Sequence, residues 1–376
     1  MIIHFSILLL ILIVSAFYEH QFCANKLRAI ANGGVSSDYV GSIIPWLIVF
    51  GYITFLAGMR TSVNDTVAYR TSFEALNASW AGIGETISGG GKDIGFSVLM
   101  HLFKMYVSTD YHMWFLFFAA VESIILIFFL RRESVSFFYS CYFLFVSTLY
   151  YNYFSMMRQW MAVVIVFFAS KYIKKGKFIP YLLFCILAAQ IHNSAYFMIL
   201  VYFFVKGAAW TKKQLFFISA FAAGMILLQP LMSFVDSSFG DTTYNYVVNT
   251  MQTSSGSSWI RIPIALVPVA FSYSYRENFN PNDKMISICV NMSLLNLMLT
   301  VLATFTSGLF IGRMSNYTTV YLLILFPYLL INVVEEKNRT IIKILFVIIY
   351  FLFYYYQMIH QGAFPYGSDV IGYYMQ

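Results

Sequence analysis

The chain has 376 residues, of which 60% are hydrophobic, 20% aromatic and only 10% charged. A soluble domain carries about 25% charged residues, and a globule of about 300 residues hides only about 75% of its surface. This apolar content excludes a soluble enzyme, a disordered chain and a nucleic-acid binder. The net charge of +7 is read instead as basic residues in short cytoplasmic loops, which set the orientation of a polytopic membrane protein. Long apolar runs also exclude a β-barrel, whose strands alternate over short stretches.

Taken in chain order, at about 20 residues per crossing, the apolar runs predict a single all-α transmembrane domain over 1–376. About twelve spans fall at 2–18, 40–59, 112–130, 136–152, 157–172, 178–190, 194–206, 214–230, 259–277, 285–309, 314–334 and 340–357. The first run lacks a basic leader and a small-residue cleavage site, so it reads as a retained span. Cys23 is placed in a cytoplasmic loop, Cys141, Cys185 and Cys289 in apolar runs, and no disulfide is expected. The segment 94–107 is short and carries His101 and Lys104; it reads as an interfacial or re-entrant helix, with Lys104 reaching lipid headgroups.

Charge fixes the expected orientation. With the N-terminus outside and 94–107 not crossing, the inner loops hold Lys26, Arg28, Arg131, Arg132, the Lys171–Lys177 cluster, Lys206, Lys212, Lys213, Arg276, Lys284, Lys337, Arg339 and Lys343. That is 16 of the 23 Lys and Arg residues, as the positive-inside rule asks. The run 178–206 is basic at both ends, so it is expected to be a hairpin of two short legs with Gln190–Ser194 at the tip. Legs of about 13 residues cover about 20 Å of a core about 30 Å thick, which places His192 below the outer surface in a cavity.

Seven basic residues are left outside: Arg60, Arg70, Lys92, Lys104, Arg158, Arg261 and Arg313. Intramembrane charges are costly and usually face a cavity or a partner. Arg60 ends a span, and Arg158, Arg261 and Arg313 open spans, so these four ring the outer rim. The bland alternative is snorkelling to headgroups. Against it, the guanidinium fork matches phosphate, and a helix N-terminus beside Arg158 favours an anion. Two long outer segments accompany them, 60–111 and 231–258. The first carries Asp65, Tyr69, Glu74, Glu85 and Asp93, the second Asp236, Asp241, Tyr244 and Tyr246; such loops are commonly lids or binding elements. No phosphate loop, zinc-protease or nucleophile-elbow motif occurs, and none of the six histidines has a partner at metal-ligand spacing. His192 is a structural histidine by default, but its place at a hairpin tip favours function.

The order Gly58-Met59-Arg60 … Asp65 … Tyr69, then Arg158-Gln159, then Ala188-Ala189 … His192-Asn193-Ser194-Ala195, then Gly312-Arg313 … Tyr317, and finally Pro365-Tyr366 resembles the EpsG-like branch of Wzy-type polysaccharide polymerases. One departure is Asp93-Ile94-Gly95-Phe96, where the family more often has Glu before x-Gly. The resemblance implies a GT-C-like membrane glycosyltransferase of the bacterial inner membrane, acting at its outer face. It implies undecaprenyl-diphosphate-linked oligosaccharide as donor and a lipid-linked repeat unit as acceptor. Membrane lipids and a chain-length regulator or flippase of the same pathway are the implied partners, with no nucleotide sugar, metal or other cofactor. On this reading Arg158 and Arg313 stabilise the leaving diphosphate with help from Arg60, and His192 is first choice as base, with Asp65 and Glu85 as alternatives. Tyr69, Arg70, Gln159, Asn193, Tyr317 and Arg261 complete the expected substrate-binding set. The rival readings are an O-antigen ligase, a membrane O-acyltransferase and a flippase of lipid-linked oligosaccharides.

Overall fold

The computed structural model describes residues 2–227, 256–280, 282–308, 310–360 and 365–374. The outer loop expected at 231–258, with its aspartates and tyrosines, lies outside the described residues apart from 256–258. In chain order the helices are α1 (Ile2–Ala31), α2 (Ile44–Gly58), α3 (Thr66–Ala75), α4 (Trp80–Ser88), α5 (Ile94–Tyr106), α6 (Tyr111–Glu133), α7 (Phe137–Val146), α8 (Asn152–Ser155), α9 (Met157–Lys174), α10 (Phe178–Ile191), α11 (Phe197–Val205), α12 (Lys212–Ile226), α13 (Arg261–Ser274), α14 (Lys284–Phe305), α15 (Phe310–Met314), α16 (Asn316–Thr319), α17 (Leu322–Tyr328) and α18 (Glu336–His360). A ribbon of β1 (Gly367–Ser368) and β2 (Tyr373–Tyr374) follows.

Four of these, α1, α6, α14 and α18, are long and apolar enough to cross a membrane, and a bent pair brings the number to five. Six further apolar helices are shorter, at 10–17 residues, and α9 has 18, so the protein is an all-α polytopic membrane protein with many short segments. The bent pair, Ile311–Thr319 and Leu322–Val333, turns by 47° and replaces the expected straight span 314–334. The bend falls at Val320 and Tyr321; further along, Pro327 removes a backbone donor and the chain continues as a π-helical turn over Leu329–Val333, a common accommodation of a lost helical bond.

Several boundaries differ from expectation for local reasons. α1 continues past 18 to Ala31 because Glu19 to Arg28 is rich in helix formers, and it stops at Gly33, whose φ is +82°. Cys23 and Lys26 are therefore helical, not in a loop. Within the outer segment 60–111, the stretch read as a loop folds into α3 and α4. Ser79 caps α4 by accepting from the Gly82 amide at 3.0 Å, and Asp110 caps α6 through the His112 amide at 2.8 Å.

α5 lies against α6 through aromatic packing, with Phe96 and Phe103 against Trp114 at ring separations of 5.6 and 5.1 Å. Lys104 does not reach for headgroups. Its ammonium donates to the carbonyls of Phe73, Glu74 and Leu76 at 2.7, 2.9 and 2.8 Å, closing the C-terminal end of α3. Three unpaired carbonyls at a helix end attract a cation more strongly than lipid does.

The run 178–206 folds back on itself. Tyr181 donates to the Met198 carbonyl at 2.9 Å, and the Phe178 and Tyr202 rings sit 4.9 Å apart. One continuous helix would separate residues 178 and 202 by about 36 Å. α10 and α11 are thus the two legs of a hairpin, joined by His192 and a 3-10 turn over Asn193–Tyr196.

α9 organises the whole. Arg158 opens it and Lys174 closes it, about 24 Å away at 1.5 Å per residue. At the Lys174 end, Lys174 reaches Glu133 and Ser37, both at 3.0 Å, and Lys26 donates to the Ser36 and Arg132 carbonyls. At the Arg158 end lie the α10–α11 tip, the start of α5 and the terminal ribbon, which is stitched to the chain after α2 by the Thr61 amide on the Gly367 carbonyl at 2.8 Å.

Candidate functional site

The site is assembled by three backbone devices. The first is the left-handed conformation of Asp93 (φ 57°) just before α5, a conformation Asp tolerates better than most residues. It turns the carboxyl back toward the hairpin. The second is Gly95, where an added Cβ would stand 2.6 Å from Cβ of Gln190, so only glycine lets α5 approach the hairpin this closely. The third is the end of α10, where His192 leaves the helix in an extended conformation and exposes the Asn193 amide.

Asp93 then joins three elements. Its Oδ2 accepts from Arg158 Nη1 at 2.9 Å and lies 3.4 Å from His192 Nδ1, while Oδ1 accepts from the Asn193 amide at 2.9 Å. The aspartate side chain is only 7% exposed, but Arg158 and His192 are 38% and 30% exposed, so the guanidinium and the imidazole face outward from a buried anion. Burial pushes the Asp93 carboxyl up. Hydrogen bonds from His192 and the Asn193 amide, with the charges of His192 and Arg158, outweigh it and hold the group below the ordinary carboxylate range. The Arg158 guanidinium also lies 5.5 Å from the ring centres of both Tyr69 and Phe96.

A second layer ties in the broken span. Gln159 donates to the Arg313 carbonyl at 2.9 Å, and Ser194 shares a 3.0 Å hydrogen bond with Tyr317. Arg313 is held at its backbone with its side chain exposed. Of the residues anticipated from sequence, the fold thus gathers Tyr69, Arg158, Gln159, His192, Asn193, Arg313 and Tyr317 in one region.

The others lie apart. Arg60 is fully buried: its Nε donates to Thr66 at 3.1 Å, Nη1 to the Ala57 carbonyl, and the guanidinium covers Phe115 at 4.1 Å. Arg70 pairs with Glu74 at 2.9 Å on the surface and stacks on Tyr111. Asp65 and Glu85 are exposed. Arg261 donates to Gln357 at 3.1 Å in a separate polar pocket.

Asp93 was the residue that sequence reasoning set aside, as a departure from a pattern. A usable signal was there: an acid two residues before a glycine, directly after a glycine run, on the expected outer side. Buried carboxylates need partners, and Arg158 was among the surplus cations expected on that side.

The EpsG family model matches residues 43–368, a range that contains Asp93, Arg158, His192 and every residue linked to them above. No curated protein and no solved structure matches the chain.

Proposed function

The chain belongs to the EpsG family, and from that premise we propose that it polymerises oligosaccharide repeat units as a membrane glycosyltransferase. The growing glycan is transferred from undecaprenyl diphosphate to a hydroxyl of a lipid-linked repeat unit, at the outer face of the bacterial inner membrane. About twelve crossings, counting the short apolar helices, and a GT-C-like arrangement belong to the same proposal.

The observation that carries it is the single carboxylate bridging an arginine and a histidine, both partly open to solvent. Asp93 plays the orienting part. With the Nδ1 proton of His192 directed at Asp93, the Nε2 lone pair is left to accept a proton, the arrangement expected of a base held by a third group. The acceptor hydroxyl oxygen attacks the anomeric carbon and its proton passes to His192. The bond from that carbon to the diphosphate oxygen breaks, and the electron pair leaves on the phosphate. Arg158 spends one N–H on Asp93 and offers the outer part of its fork to that growing charge, with Arg313 as the second cation. A well-placed donor contributes about 3–4 kcal/mol to such a step.

The test is reconstitution of the purified protein in vesicles with lipid-linked repeat unit supplied on one side. The expected result is a ladder of lengthened glycan and release of lipid diphosphate, both lost in His192→Ala. Translocation without lengthening would establish a flippase instead. Transfer of the glycan to a lipid A core and to no repeat unit would establish a ligase, and consumption of an acyl donor an acyltransferase.

A further inference from the structure

The broken span has two faces. Through the Arg313 carbonyl and the Tyr317 hydroxyl it meets the Asp93–Arg158–His192 region. Its other side, with Gly312, Ser315, Asn316 and Thr319, lines a half-open cavity of about 130 Å³ walled by α7, α13, α14 and α18. That is roughly ten times the volume that admits one water molecule. Polar groups this deep in an apolar bundle are costly unless they meet a partner.

The lining has a definite chemistry. Gln357 is 3% exposed; its Oε1 accepts from Arg261 at 3.1 Å, and its buried Nε2 has no hydrogen-bond partner among the described residues. It is an unspent donor buried within the cavity wall. On the facing side the hydroxyls are already spent as donors: Thr300 on the Asn296 carbonyl at 2.7 Å, Ser315 on the Gly312 carbonyl at 2.6 Å, and Thr319 on Asn296 Oδ1 at 2.9 Å. Their lone pairs remain as acceptors. The lining therefore holds both donors and acceptors, and among the described residues no carboxylate lines it. An anion asks for donors alone. A polyhydroxyl ring asks for both, and for an apolar surface under its C–H face, which Tyr350 and Phe353 in the same wall provide. Thr148, also in the wall, holds φ at 64°, a strained conformation for a β-branched residue and one that concentrates at ligand sites.

We infer that this cavity is a glycan subsite that holds a neutral pyranose unit beside the Arg158 region, with the broken span as the wall between them. The inference deepens the polymerase reading and rests on it for the identity of the neighbouring site. The subsite positions sugar; it makes and breaks no bond. Gln357 and Thr300 bind ring hydroxyls, and Arg261 holds Gln357 in place.

The experiment measures binding of a neutral oligosaccharide, released by mild acid from the host's lipid-linked pool, to the full-length protein in lipid nanodiscs. Saturation-transfer NMR reads binding, and a thermal melt of each variant reads folding. Gln357→Leu and the isosteric Thr300→Val should each weaken binding by about tenfold, the worth of one hydrogen bond to a buried partner, while Arg158→Lys binds as wild type does. Should Gln357→Leu melt early, Thr300→Val carries the test alone. Wild-type binding in a folded Thr300→Val and Gln357→Leu would overturn the inference. So would displacement of the sugar by inorganic diphosphate in Arg158→Lys, which would make the cavity an anion site. Sugar binding lost in both variants, in a protein that elongates nothing, would keep the subsite and defeat the polymerase reading. Elongation with binding unchanged in both variants would do the reverse.

Discussion

The two ends of α9 present the same chemistry under opposite burial. At one end Glu133 lies against Lys174, with side chains only 4% and 20% exposed, and Lys26, fully buried, donates to two carbonyls beside them. At the other, Asp93 lies against Arg158 and His192, and both partners remain a third open. The lesson is that a carboxylate with its partners sealed in is a fastening, and one with its partners turned outward leaves groups free to meet a ligand. At the Lys174 end nearly every donor is spent on protein. At the Arg158 end the fork and the far imidazole nitrogen are left for something else.

The largest expected effect would break the comparison at the sealed end. Glu133→Leu should cost about 3 kcal/mol of stability by stranding Lys174, as breaking a buried pair does. Unfolding in an SDS titration measures it, and activity per folded molecule should be unchanged. The mirror change at the open end is Asp93→Asn, which keeps the shape and loses the charge. It should lower elongation about 100-fold with a smaller stability loss than Glu133→Leu, read by initial rates beside the same titration.

Acidity sharpens the contrast further. Asp93 is held below the ordinary carboxylate range, so its contribution is fully present above about pH 3.9 and is lost as pH falls through the lower native value. Elongation by the wild type should therefore show no Asp93-dependent fall between pH 7 and about pH 4. An acid limb centred above about pH 5 in the wild type and absent from Asp93→Asn would contradict the assigned shift.

Smaller effects come from the α3–α5 region. Lys104→Ala should cost about 2 kcal/mol, because it frees three carbonyls from a charged donor, and the loss should show as faster proteolysis within 66–106. The surface pair Arg70–Glu74, spaced i to i+4, should be worth only about 0.3–0.5 kcal/mol. A double-mutant cycle on thermal stability measures it, and a coupling several times larger would promote that pair from surface decoration to part of the site.

The comparison also marks what the sequence made legible. Composition and basic loops revealed a multi-pass helical protein and the folded-back run 178–206, because hydropathy and charge act over whole segments, while the grouping of Arg158 with His192 came from the family resemblance. The residues tying the ends together were harder to read. Asp93 works through a left-handed backbone and the close approach permitted by Gly95, which are tertiary facts carried by single residues. Arg60 looked like a rim cation, yet it is consumed by Thr66, Ala57 and Phe115; nothing in its spacing distinguishes it from Arg158. Lys104 was misplaced for the same reason, since its partners are carbonyls that no side-chain pattern announces.

The central claim is that Arg158 presents a fork to a diphosphate while Asp93 holds it. The most direct measurement is glycan elongation by purified Arg158→Lys and Arg158→Ala at matched protein amount, with wild type alongside. Lysine keeps the charge but loses the planar fork, so the account predicts that both variants lose about 10²- to 10³-fold in rate while melting as wild type does. Full-length polymer at wild-type rate from Arg158→Lys would contradict it.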